Sequence, residues 1–109
     1  MSAVYKIVQK DIQKVVYIGS TNNFYHRAIT HKSYCNNEKA NNYTQKIYCY
    51  MRANGGSDNY EIIPFYTFPK NMNKQFLYSI EKYEIQKNKD TVQNVRIPRC
   101  KNDLMKLLE

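Results

Sequence analysis

The run Tyr17-Ile18-Gly19-Ser20-Thr21-Asn22-Asn23-Phe24-Tyr25-His26-Arg27-Ala28-Ile29-Thr30-His31 constrains this chain more than any other stretch. With Val15 and Val16 it opens on β-branched and aromatic residues, the pattern of a buried strand. Gly19 ends the apolar run and allows a turn or a close approach to another group. Ser20 to Asn23 carry turn and helix-capping side chains, so a helix is expected to start near Asn23 or Phe24. On that helix Arg27 and His31 stand four apart and share a face. Strand, glycine, polar turn and a helix with two cationic or proton-carrying groups together suit a phosphate site.

The rest of the chain reads as support for that stretch. Ala3 to Val8 and Val15 to Gly19 are expected to form a hairpin. A Lys10-Asp11-Ile12 loop puts Gln9 opposite Gln13, Ile7 opposite Val15 and Tyr5 opposite Tyr17, two phenols on one face. A first helix spans Phe24 to about Tyr34, and 36–42 is a loop. A second helix starts at Asn42, Tyr43 or Thr44 and runs to about Asn54, with Tyr43, Ile47, Tyr50 and Met51 at core spacing. Gly55-Gly56 stops it. Tyr60 to Phe68 is a third strand, and Pro64 places it at an edge or a bulge. A third helix covers about 72–88, capped by Asn71 or Asn73. Glu81 and Glu84 lie within or beside its apolar arc, where a carboxylate needs a partner or a cation. Lys101 to Glu109 is read as a short terminal helix.

Charge narrows the function. Lys and Arg number 17 against 9 Asp and Glu, a net +8, which points to a polyanionic partner, nucleic acid first. No apolar run reaches the roughly 18–20 residues of a membrane span, and the N-terminus shows no signal peptide, so an intracellular protein without a membrane partner is expected. Cys35, Cys49 and Cys100 lack zinc spacing and read as free thiols. Cys35 follows His31 by four residues, but no oxyanion site accompanies that pair. Taken singly, Tyr5 and Tyr17 are ordinary strand aromatics, Arg27 and His31 a polar helix face, and Glu81 a partner for Lys74, Lys82 or Lys87.

Taken in order, Ala3-Val4-Tyr5, Tyr17-Ile18-Gly19, Arg27, His31-Lys32, Arg52-Ala53-Asn54-Gly55-Gly56 and Leu77-Tyr78-Ser79-Ile80-Glu81 resemble the GIY-YIG nuclease domain. The second tripeptide is intact; the first departs at Ala3 and Val4 and keeps Tyr5. The likeness is greatest to stand-alone, homing-endonuclease-like members encoded by large DNA viruses. It covers about 3–98, which makes 1–109 one catalytic domain with a short extension at 99–109. The resemblance implies an α+β fold, a three-stranded antiparallel sheet flanked by helices. It also implies hydrolysis of DNA phosphodiesters with one Mg²⁺ or Mn²⁺ ion on Glu81. Arg27 would clamp the phosphate as charge builds on it. Tyr17, with Tyr5 beside it, would take the proton of the attacking water. A phenol at its ordinary pKa is a poor base at neutral pH, so Arg27, the metal or His31 would lower that value or take up the proton, or His31 would instead orient the water or a phosphate. The family's late asparagine falls on Gln93 or Asn94, and Asn94 keeps the expected distance to Pro98. Lys32, Arg96 and Arg99 are candidate DNA contacts. A monomer or weak homodimer with relaxed sequence preference is expected, unless a partner supplies targeting. The alternative is a nuclease-derived module that binds nucleic acid without cutting it.

Overall fold

Residues 1–94 are described by the computed structural model. Strand β1 (Ser2–Gln9) lies at the centre of an antiparallel sheet, between β2 (Lys14–Thr21) and β3 (Tyr60–Phe68). Its near-continuous apolar run follows from burial on both faces. Ala3, Tyr5 and Ile7 point to one side, with Val16, Phe24, Cys35, Ile47, Tyr48 and Met51. Val4 points to the other, with Ile18, Leu77, Ile80 and Ile85. Helices α1 (Phe24–Asn36) and α2 (Lys46–Ala53) cover the first face and α3 (Lys74–Lys87) the second. Each fully buried Val, Leu or Ile is worth about 1.5–3 kcal/mol, so apolar packing, not its charged residues, holds α3 to the sheet. This is the α+β architecture that the resemblance implies.

The hairpin register differs from the expected one by two residues at the tyrosines. Four residues, not three, make the turn, so Gln9 faces Lys14. Val16 then bulges out of β2, and beyond it Ile7 faces Tyr17 and Tyr5 faces Gly19. Either change alone would turn the later residues of β2 to the opposite face; together they restore it. Tyr5 and Tyr17 therefore meet as diagonal neighbours, ring centroids 6.5 Å apart. Strand β2 also runs on past Gly19 to Thr21, so that glycine is no turn.

Pro64 occupies both places open to it. Strand β3 is an edge, and a bulge leaves Phe65 unpaired between the Tyr5–Pro64 and Val4–Tyr66 pairs. The Asn23 side chain caps α1 by accepting from His26 N–H at 3.1 Å, and Asn73 caps α3. Helix α2 starts later than expected, at Lys46. Arg52 binds the carbonyls of Cys35 and Tyr43 at 3.0 and 2.7 Å and stacks on the Tyr43 ring, which holds the incoming chain in turns. Tyr43 therefore packs under Arg52 instead of extending the helix. Gly55, at φ 98°, follows the helix end as expected. The expected terminal helix at 101–109, Pro98 and Cys100 lie outside the described residues. No described helix is long and apolar enough to cross a membrane.

Candidate active site

The site lies at the edge formed by β2, where groups from both faces of the sheet meet. Successive residues of a strand point to opposite sides, so Tyr17 faces α1 while Ser20 faces α3. Helix α1 starts three residues after β2 and lays Arg27 and His31 over the tyrosine face. From α3, Glu81 reaches Ser20, whose hydroxyl and backbone N–H both donate to its carboxylate.

Tyr5 is buried at 1% exposure, and its hydroxyl contacts His31 Nε2 at 2.6 Å. Arg27 Nε donates to the same oxygen at 3.3 Å. His31 Nδ1 meets the Tyr48 hydroxyl at 2.8 Å, so both imidazole nitrogens end on phenols inside the protein. That geometry corrects the expectation that His31 orients a water or a phosphate. Burial, with the Arg27 charge acting in the same direction, lowers the His31 pKa to about 3. The ring is neutral at physiological pH and is a poor store for a proton.

Tyr17 is the half-buried member of the phenol pair and the more accessible of the two. With Arg27, Gln45, Lys46, Ile47, Gln93 and Asn94 it lines a cleft of about 440 Å³. Burial raises its pKa, Glu81 adds to that rise, and the charge and hydrogen bond of Arg27 oppose it. Tyr5, more deeply placed, is raised further by burial and by Tyr17. Two adjacent phenols cannot both ionise cheaply. Tyr17, open to the cleft, is therefore the one placed to exchange a proton with a bound molecule.

Glu81 is the carboxylate of the site. Burial pushes its pKa up to about 7, against the Ser20 hydrogen bonds and the Arg27 charge. Among the described residues it makes no ion pair; Lys74, Lys82 and Lys87 do not neutralise it. Glu84, the other carboxylate of the arc, accepts from the Tyr66 hydroxyl at 3.1 Å and faces β3. No cluster of three or more His, Cys, Asp or Glu able to cage a metal occurs among the described residues. Mg²⁺ needs no such cage. It keeps several waters and binds through one or two carboxylates together with substrate phosphate. A half-buried carboxylate without an ion-pair partner among the described residues, within electrostatic reach of Arg27 and Tyr17, fits that requirement.

Asn94 sits beside Tyr17, with its amide committed to β2. It accepts from Ile18 N–H at 3.1 Å and donates to Ile18 C=O at 2.8 Å, like one more residue of a neighbouring strand. Gln93 binds the Val16 carbonyl through its backbone N–H at 2.6 Å. Both residues line the cleft, and Asn94 supplies the side-chain contact. Lys32 is not brought to the cleft: it lies elsewhere on α1, 3.7 Å from Asp58, both side chains exposed. Arg96 and Arg99 lie outside the described residues. His26 is exposed on α1. Tyr48, Gln45, Lys46 and the Ser20–Glu81 contact were not singled out by the sequence. Ser20 reads there as a turn residue, and Tyr48 as one of many tyrosines with no motif around it.

A family model, the GIY-YIG catalytic domain, matches residues 1–94. The chain belongs to the GIY-YIG family. The match spans the strands, the helices and every cleft residue described above. Membership makes the protein a nuclease of the endonuclease type, acting on DNA, in a family whose members generally depend on a divalent metal. No curated protein and no solved structure gives a significant match to the chain. The GIY-YIG signature takes a physical form here. The glycine of Tyr17-Ile18-Gly19 stands opposite Tyr5, and a Cβ on it would lie 2.6 Å from the Tyr5 ring carbon Cζ.

Proposed function

We propose that this chain cuts DNA phosphodiester bonds with one divalent ion, Mg²⁺ or Mn²⁺, held at Glu81. The convergence of Tyr17, Arg27 and Glu81 at one strand edge carries this reading, because the three come from three different elements. The charges of Arg27 and Glu81 both act on Tyr17, as expected of groups sharing one site. A bound Mg²⁺ supplies neutralisation of the anionic phosphate and of the leaving oxygen. Arg27 donates to the non-bridging oxygens as charge grows on them. Tyr17 first gives up its own proton to the cleft solvent, a loss that the Arg27 charge and hydrogen bond favour against burial. The phenolate then receives the proton of the attacking water. Tyr5 and His31, closed off from the cleft, hold Arg27 in place.

The departures at Ala3 and Val4 do not favour a module that binds without cutting. Both side chains are fully buried in β1, one on each face, and take no part in the cleft. Supercoiled plasmid incubated with Mg²⁺, with and without EDTA, tests the proposal beside Glu81→Ala and Arg27→Ala. Relaxed and linear DNA should form only with wild type and free Mg²⁺. Equal cutting by all three proteins, or salt-sensitive binding without cutting under any divalent ion, would overturn it.

A further inference from the structure

The contacts around His31 form a chain whose direction can be worked out. A neutral imidazole has one N–H and one bare nitrogen, so it donates to one phenol and accepts from the other. Its two partners are Tyr5, at Nε2, and Tyr48, at Nδ1. Tyr48 comes from α2 and is 1% exposed. The direction is set at the Arg27 end. A guanidinium has donors and no acceptor, and Arg27 Nε already donates to the Tyr5 oxygen. Its positive charge turns the Tyr5 O–H proton away, toward His31 Nε2. The distances agree: the 2.6 Å contact suits an O–H donor and the 2.8 Å contact an N–H donor.

We infer that Tyr48 is a positioning residue: it accepts the His31 Nδ1–H, fixes the imidazole in that tautomer and, through Tyr5, aims the Arg27 guanidinium at the cleft. Without the Tyr48 oxygen, Nδ1–H would be buried with no acceptor, which costs the full desolvation penalty of that donor. His31 would then move its proton to Nε2 and donate to Tyr5. The Tyr5 hydroxyl proton would in turn face Arg27, donor against donor, and the Nε contact would be lost. The role in catalysis rests on the nuclease reading of the cleft, whereas the tautomer does not.

Long-range ¹H–¹⁵N correlation spectra of protein labelled on its histidines report the tautomer directly. Wild-type His31 should carry its proton on Nδ1 at neutral pH. Tyr48→Phe, which keeps the ring volume, should move it to Nε2 and lower kcat about 10-fold, as loss of an orienting contact does, with KM little changed. Tyr34→Phe, altering the ring packed on Tyr48 at 5.8 Å, should leave tautomer and kcat as they are. A wild-type His31 protonated on Nε2 overturns the inference, and so does a Tyr48→Phe kcat equal to wild type. The wild-type spectrum needs no variant, so misfolding of Tyr48→Phe does not shelter the inference. A wild-type chain that leaves DNA uncut defeats the nuclease reading, and the tautomer, measured without turnover, still tests the clamp.

Discussion

The Tyr5 ring lies across Gly19, its partner in the β1–β2 ladder, with no room between them for a methyl group. Tyr5 cannot swing away, because His31 and Arg27 hold its hydroxyl. Gly19→Ala should therefore destabilise the fold by about 1–3 kcal/mol, the usual cost of overpacking a filled core. It should also lower activity by displacing Arg27. Urea unfolding measures the first effect. An alanine variant as stable as wild type would show that the phenol moves freely.

Glu81 makes stability depend on pH. Its folded pKa of about 7 lies above its ordinary 4.5, so between those values the folded state binds more protons than the unfolded one. Stability should fall as pH rises through that window and stay low above it. Glu81→Gln, uncharged at every pH, should be more stable than wild type at pH 8 by about 1–3 kcal/mol. Added Mg²⁺ should raise the wild-type Tm at pH 8 and leave the glutamine variant unchanged. Thermal unfolding at pH 5 and pH 8, with and without Mg²⁺, reads both effects. A wild-type Tm indifferent to the ion would remove Glu81 as its holder.

Proton and metal should compete for the same carboxylate. At low Mg²⁺ the rate should decline as pH drops through about 7, and that limb should move to lower pH as Mg²⁺ increases. His31, neutral down to about pH 3, should add no inflection near 6.5. Rate profiles at several Mg²⁺ concentrations check this, and a limb that stays fixed argues for a different titrating group.

Arg27→Lys keeps the charge and removes the fork that holds Tyr5 while facing the cleft. Its kcat should fall by about 100-fold or more, the scale of losing one transition-state donor, while DNA binding weakens little. Single-turnover cleavage separates the two. Near-normal chemistry in the lysine variant would show that charge alone suffices.

Lys46 lines the cleft together with Tyr17 and makes no ion pair among the described residues. Lys46→Gln should weaken DNA binding and reduce the slope of log affinity against log salt by about 1. The same change at Lys32, away from the cleft, should alter the slope less. Titrations in Ca²⁺ over a range of salt, with cleavage suppressed, test the contrast.

What the sequence reveals divides along lines of distance. That Tyr17, Arg27 and His31 lie on one side of the sheet is legible, because one short strand–turn–helix carries them and local spacing sets their faces; that both His31 nitrogens end on phenols is not. Glu81 is ambiguous from spacing, since an acidic residue near an apolar arc can pair with any of several lysines; the family resemblance singles it out. Ser20 and Tyr48 cannot be read in advance. Each acquires its contact only when a remote element packs against it, α3 on one side of the sheet and α1 on the other. The face shared by Tyr5 and Tyr17 is anticipated while the register is not, because β pairing repeats every two residues and an error of two is invisible to it.

That parity leaves the hairpin open to change only in pairs. Shortening the turn at 10–13 by one residue, with the Val16 irregularity retained, would rotate Tyr17 out of the cleft and bring Ile18 into it. A second deletion, at Val16, would return the phenol to its side. Insertions and losses in this segment should therefore be accepted two at a time, and variants of odd length should lose activity whatever residues they carry.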